Sequence, residues 1–449
     1  GMFYAAQNLC VCFPTQIGGF IAVGPGGDVP TAADFEKPRP VEKGPAFGAV
    51  EAIPSADDWP TYRHDSERNA GTSTNVPETL KPLWKVSCVK PGEGMFAEAW
   101  NARTGSPQPL TAPVVAAGMV IIAGFDSGEI MALSAETGAA LWKTPLASRI
   151  DSPPTYCSGR LLVGCHDGWA YALRAGDGAL AYRVRIAPLE KRMVAHGLVE
   201  SVWPAVGSVL VHDGLAYATA GRSTSTSGGI ALVAFKPESG ETVWARSLDG
   251  ANGFADALAV RDGKLAWHSA RLDLKNGGFL PPAEKFRRHR SMLDGSWMAD
   301  YNRRSGWGHM LGWICDNMMA WNDKLVVTSA YAVTRTKAEA TQPVRLKSPN
   351  PFKPDELAWM LDLEPGIERA RVYSMAMTGN TAFYAGSVFN NSAKGLSDGS
   401  FLWMKATATG KKQQDSIKLD APPVLDGLAA AGGRVFLALQ DGSLVCWGR

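Results

Sequence analysis

The sequence predicts an all-β fold: a β-propeller of seven or eight four-stranded antiparallel blades, its ring closed by strands from the N- and C-terminal ends of the chain. Three observations predict it. Turn-forming residues abound, with 48 glycines and 29 prolines among 449 residues and no Gly-X-Y period. A strand-turn-strand pattern recurs along the chain, and hairpins of a second constant design accompany it.

The recurring pattern reads MALSAETGAALW at 131–142, YALRAGDGALAY at 171–182 and VAFKPESGETVW at 233–244, with a worn copy, WMKATATGKK, at 403–412. Each is an apolar strand followed by a turn of small or acidic residues ending in glycine (Gly138, Gly178, Gly240, Gly410). Glycine suits the left-handed position of a tight hairpin turn. In the first three copies an aromatic residue follows four positions later and is placed to cover a hairpin face. The second design, β-rich runs around a central turn, occupies 113–126, 153–167, 207–221 and 424–441. Two hairpins make one four-stranded blade.

On this reading blades fall at 111–147, 153–186, 205–248, 256–280 with its following loop, 315–335 with flanks, and 371–419. Residues 424–447 supply only three strands, and LKPLWKVSCV at 80–89 supplies a lone fourth, so the two ends are expected to complete one blade and hide its edges. Residues 58–449 are assigned to the propeller. Residues 1–23 read as strands of an extra blade or the remnant of an upstream domain; Gly1 before Met2 and strand-like sequence from Phe3 suit a chain cut from a longer one. Residues 24–57, with six prolines and no hydrophobic period, read as an extended surface linker. Residues 276–310 and 336–370 are the two long insertions, the second with a short helix near Asp355 to Leu361.

The strand-Ala-x-x-x-x-Gly-x-x-x-Trp pattern resembles the pyrroloquinoline-quinone-like (quinoprotein dehydrogenase-like) propeller repeats, whose aromatic docks each blade against its neighbour. Residues 58–73, 151–178 and 199–211 are similar to members of an extracytoplasmic bacterial branch of that superfamily. The resemblance therefore implies a periplasmic or cell-surface location. It also raises a quinone-dependent dehydrogenase, which would need a stacked planar cofactor, an oxygen-liganded calcium ion and a carboxylate base. The adjacent cysteine pair of the alcohol-oxidising members is missing, the nearest approach being Cys10-Val11-Cys12, and the Asn and Asp calcium ligands do not recur at matching positions. The expectation is accordingly a non-catalytic binding or assembly module without a cofactor or metal, recognising a protein or a glycan or other anionic ligand. The alternative is a dehydrogenase using pyrroloquinoline quinone with calcium, or another enzyme of the propeller face.

Charge and hydropathy narrow the partners. Lys plus Arg number 45 against 43 Asp plus Glu, a net charge of +2 with basic residues scattered, so no electrostatic footprint for nucleic acid is present. No apolar run reaches the roughly 18 residues of a membrane-spanning helix, and the chain is expected to be monomeric. The seven cysteines (Cys10, Cys12, Cys88, Cys157, Cys165, Cys315, Cys446) lie mostly in apolar strand-like runs and read as free thiols.

Three polar-aromatic clusters are the candidate sites. Trp59, Tyr62, Arg63, His64, Asp65 and Arg68 precede the closing strand and read as structural. Arg192, His196, Glu200 and Trp203, joined by Arg222, read either as a polar pocket at the channel mouth or as a hydrogen-bonded blade anchor. The enzymatic alternative needs Arg192, His196, Glu200 and Asp294 to converge. The densest cluster runs from Arg287 to His309. Its Arg287, Arg288 and Asp294 with Trp297, Trp307 and His309 suit a surface that grips an anion and stacks on a ring, or an ion-paired cover over a blade. His166 and His212 fall in the turns CHDG and VHDG and read as turn residues, with Asp167 and Asp213 making local turn bonds.

Overall fold

The computed structural model describes residues 3–5, 21–23, 30–48, 57–92, 108–195, 197–224, 227–248, 255, 257–267, 270–280, 318–340, 352–363, 367, 370–388 and 399–449. Seven antiparallel sheets follow one another along the chain, and each is a blade. Blade 1 spans 114–145, blade 2 155–185, blade 3 205–248, blade 4 259–272, blade 5 319–360 and blade 6 370–419. Blade 7 takes three strands from 423–448 and its outer strand from Lys81–Ser87, which pairs with Ser443–Gly448. The ring is therefore closed by strands from both ends of the chain. Blade 4 shows three strands among the described residues, and Phe279 bridges Leu272 where the fourth strand of the other blades runs. Among the described residues Phe3–Ala5 pairs only with Ile21–Val23, as a separate two-stranded sheet, and the ring has seven blades.

Burial follows from this stacking. Each blade's faces are covered by its neighbours, so strands near the axis are apolar throughout: every residue of Met119–Gly124 and of Ile230–Phe235 is buried. The outermost strand faces solvent and alternates, as in Ala140–Pro145.

The repeat glycine explains how blades are joined. Trp84 of blade 7 lies against Gly138 of blade 1, Trp142 of blade 1 against Gly178 of blade 2, and Tyr182 of blade 2 against Gly240 of blade 3. Trp244 meets Gly277 and Trp359 meets Gly410 in the same way. Each aromatic also donates a hydrogen bond to the carbonyl three residues before that glycine: Trp142 to Ala175 at 2.8 Å, Tyr182 to Pro237 at 2.7 Å, Trp359 to Thr407 at 2.9 Å. The aromatic thus covers the next blade's hairpin rather than its own. The pattern breaks where it must, because the split seventh blade has no such hairpin. Gln414 stands four residues after Gly410, and its Oε1 accepts from the Leu80 backbone N–H at 2.6 Å.

Two stretches differ from the sequence reading. Within 24–57, residues 32–36 form a helix whose Phe35 is buried, and Val41–Lys43 adds a fifth strand to the outer edge of blade 2. A three-residue strand between prolines carries too short a pattern to show in the sequence, yet it covers an edge that would otherwise stay unpaired. Within 336–370, the Asp355 region is a single 3-10 turn, Pro354–Glu356, and Trp359–Met360 is the outer strand of blade 5. Among the described residues no helix is long and apolar enough to cross a membrane.

Candidate functional site

Between blades 2 and 3 the chain leaves the ring as a two-stranded ribbon, Arg192–Ala195 paired with Leu198–Ser201. Alternation along its strands gives it two faces. Glu200, opposite Met193, turns inward and is 3% exposed, whereas Val194 and Val199, directly opposite each other, are 63% and 53% exposed. Isolated exposed valines are unremarkable, but a facing pair on a ribbon that, among the described residues, joins no larger sheet is an apolar spot offered to solvent.

The inward face is held by an ionic cluster. Glu200 Oε1 accepts from Arg149 Nη1 at 2.6 Å, and Oε2 accepts from Arg222 Nη2 at 2.6 Å. The buried His166 ring lies between two carboxylates, Nδ1 3.1 Å from Glu200 Oε2 and Nε2 3.4 Å from Asp151 Oδ2. Arg149 reaches Asp126 at 2.8 Å and donates to the Ala195 carbonyl at 3.0 Å, while Arg222 donates to the Val202 carbonyl at 2.8 Å. Three cations thus face three anions, and two arginines also grip the backbone at the ends of the ribbon. Burial alone would lower the His166 pKa, but Glu200 and Asp151 outweigh it and raise it to about 9, so the ring is charged at neutral pH. Burial alone would raise the Glu200 carboxyl, yet His166, Arg222 and Arg149 hold it well below the usual carboxylate range.

Of the sequence-predicted site residues that are described, the structure brings Glu200 and Arg222 together and places Arg192 and Trp203 elsewhere. Arg192 is displaced by strand alternation to the outward face, where its partner is Glu190 at 3.7 Å. Trp203 is buried and donates its indole N–H to the Ser227 carbonyl at 2.9 Å, a blade contact. His196 lies outside the described residues, as do Arg287, Arg288, Asp294, Trp297, Trp307 and His309. His166 does lie in the expected turn, but its side chain stands at the centre of the cluster. Its neighbour Asp167 does make the expected turn bond, accepting from the Trp169 N–H, and also accepts from the Tyr171 hydroxyl. Arg149, Asp151 and Asp126 were missed because the groups lie up to some 70 residues from Glu200 and share no local motif. The only signal was charged residues within otherwise apolar inter-strand connections. The cysteines Cys88, Cys157, Cys165 and Cys446 are free thiols, and Cys10, Cys12 and Cys315 lie outside the described residues.

The cluster is a poor seat for a quinone and calcium. Its carboxylates already face arginine or charged imidazole, so a divalent cation would have to displace those partners in a buried setting. Among the described residues no group of three His, Cys, Asp or Glu is arranged to hold a metal ion.

A family profile described as "Outer membrane protein assembly factor BamB" matches residues 77–262. The protein of that name from Moranella endobia (strain PCIT) is 28% identical over 109 residues, 23% of this chain and 28% of that one. The one from Burkholderia pseudomallei (strain K96243) is 26% identical over 167 residues, 37% of this chain and 38% of that one. The matched stretches thus span well under two thirds of these curated relatives. Among solved structures, BamB from Moraxella catarrhalis matches with a TM-score of 0.36 and 15% identity over 74% of this chain and 82% of that one. The quinohemoprotein alcohol dehydrogenase from Comamonas testosteroni matches with 0.44 and 13% over 88% and 81%.

Proposed function

We propose, from the premise that this chain belongs to the pyrroloquinoline-quinone-like propeller repeat family, that it is a non-catalytic protein-binding module of an extracytoplasmic assembly machinery. The observation that carries this reading is the ribbon at 192–201. A buried, charge-balanced cluster anchors its base, and the facing Val194 and Val199 project from it beside Arg192. Rigid support beneath an exposed apolar pair is the construction of a protein contact, since ordering the ribbon in advance reduces the entropy lost on binding. An enzyme would instead need an acid, base or cation left available to a substrate. In the cluster every charged group is engaged by an opposite charge. The names of the matched family profile and curated relatives point the same way, toward assembly.

The test is site-specific photo-crosslinking in the source cells, with the probe at 194 or 199 and, as control, at Leu141, an exposed residue on the outer strand of blade 1. One discrete protein adduct is expected from the ribbon positions, absent from the control. No adduct, or the same adducts from all three sites, would overturn the reading.

A further inference from the structure

We infer that residues 57–76 are a closing collar, a strap that threads once round the inner mouth of the ring and couples the opening of any blade to the release of the others. The path of the backbone carries this. Gly432 of blade 7 donates to the Asp57 carbonyl, Trp59 exchanges two hydrogen bonds with Val115 of blade 1, and Tyr156 of blade 2 donates to the Pro60 carbonyl. Val260 of blade 4 donates to Ser66, Trp321 of blade 5 to Asn69, and Met377 of blade 6 donates to Ala70 and accepts from Thr72. Blade 3 is reached by Arg68, whose Nη2 donates to the Ser208 carbonyl at 3.2 Å. The collar therefore meets all seven blades, its backbone taking blades 7, 1, 2, 4, 5 and 6 in ring order and the Arg68 side chain reaching back to blade 3, then runs out past Asn380 and Gln414 of blade 6 to become the outer strand of blade 7.

The strap is built to stay in place. Arg68 is fully buried and bonds the Thr61 hydroxyl and Tyr62 carbonyl within the collar, as well as the Leu258 carbonyl between blades 3 and 4. Arg63 pairs with the buried Asp426 of blade 7 at 2.6 Å and donates to the Met319 carbonyl of blade 5; Asp426 also accepts from the Tyr62 hydroxyl at 2.6 Å. A repeat ring is held chiefly by nearest-neighbour contacts, and local opening is its natural failure. A single segment bonded to every blade removes that independence. The four collar residues with left-handed backbone, Arg63, His64, Arg68 and Ala70, fit this role, because such conformations persist only where surrounding bonds fix them.

Hydrogen exchange of the full chain in its folded state tests the coupling. Tyr62→Phe removes one hydroxyl at blade 7 and should speed exchange about fivefold in the inner strands of all seven blades, including 205–212 and 259–261 across the ring, while outer strands such as 140–145 keep their rates. Arg68→Met should give the same distribution with about a hundredfold change; if that chain does not fold, Tyr62→Phe decides alone. Acceleration confined to blade 7 and residues 57–63, or spread equally over inner and outer strands, would overturn the collar.

Discussion

Trp142 lies against Gly178 of the next blade and donates its indole N–H to the Ala175 carbonyl at 2.8 Å. The glycine is required twice over: its φ is +70°, and a methyl group there would sit 2.5 Å from Trp142 Cε3. Gly178→Ala should therefore cost about 2–4 kcal/mol, combining backbone strain with overpacking. Gly118→Ala has the same left-handed backbone at φ +75° but no atom within 4 Å, and should cost only about 1 kcal/mol. Urea unfolding of the two variants checks the difference; equal losses would mean that blade docking does not depend on this contact.

Neutralising the anchor should be costly. Glu200→Gln leaves Arg149, Arg222 and His166 buried without their shared anion, for a loss of about 3–5 kcal/mol. Asp126→Asn removes a carboxylate that is 42% exposed and should cost about 1 kcal/mol or less. Glu200→Gln should also abolish the crosslink from position 199, and Asp126→Asn should preserve it. A Glu200→Gln chain with unchanged stability and crosslinking would refute the anchor.

The cluster predicts a pH signature. The His166 pKa is raised on folding from its ordinary 6.5 to about 9, so its stabilisation is fully present below pH 6.5 and lost as pH rises through 9. Glu200 acts in the opposite sense: its carboxyl is held low, so its contribution is present above the usual carboxylate range and lost in acid. Denaturation midpoints between pH 6 and 10 should fall with rising pH in the parent chain. His166→Asn should flatten that decline, and an unchanged slope would show that the imidazole is not charged in the fold.

Cofactor chemistry makes a separate prediction. Titration with pyrroloquinoline quinone and calcium should leave the melting temperature and tryptophan fluorescence unchanged at a hundredfold excess of both. A saturable rise in melting temperature would restore the dehydrogenase alternative and make dye-linked oxidation of alcohols and sugars the next assay.

Blade boundaries were legible because they depend on local chemistry. Gly138, Gly178, Gly240 and Gly410 mark hairpins whose turns need a left-handed residue, and the runs between them are apolar because both faces of a blade are covered. The closing strand at 81–87 was legible because 423–448 lacked one. The site was only half visible. Glu200 and Arg222 stand out as charges between apolar strands, whereas Arg149, Asp151 and His166 carry no spacing that links them to either. Arg192 was misplaced because its face depends on a ribbon register that the composition of 190–203 does not reveal.

The sequence by itself determined the repeat, and with it the all-β class and the blade design, since each rests on residues within about 12 positions of one another. Tertiary structure alone decided the count of seven, the encircling course of 57–76 and the meeting of His166 with Glu200. The first two depend on closing the ring, which brings Tyr62 to Asp426 across 364 positions, and the third on the packing of the connections around blade 2, which also brings Arg149 to Glu200 across 51; no local pattern records either kind of contact.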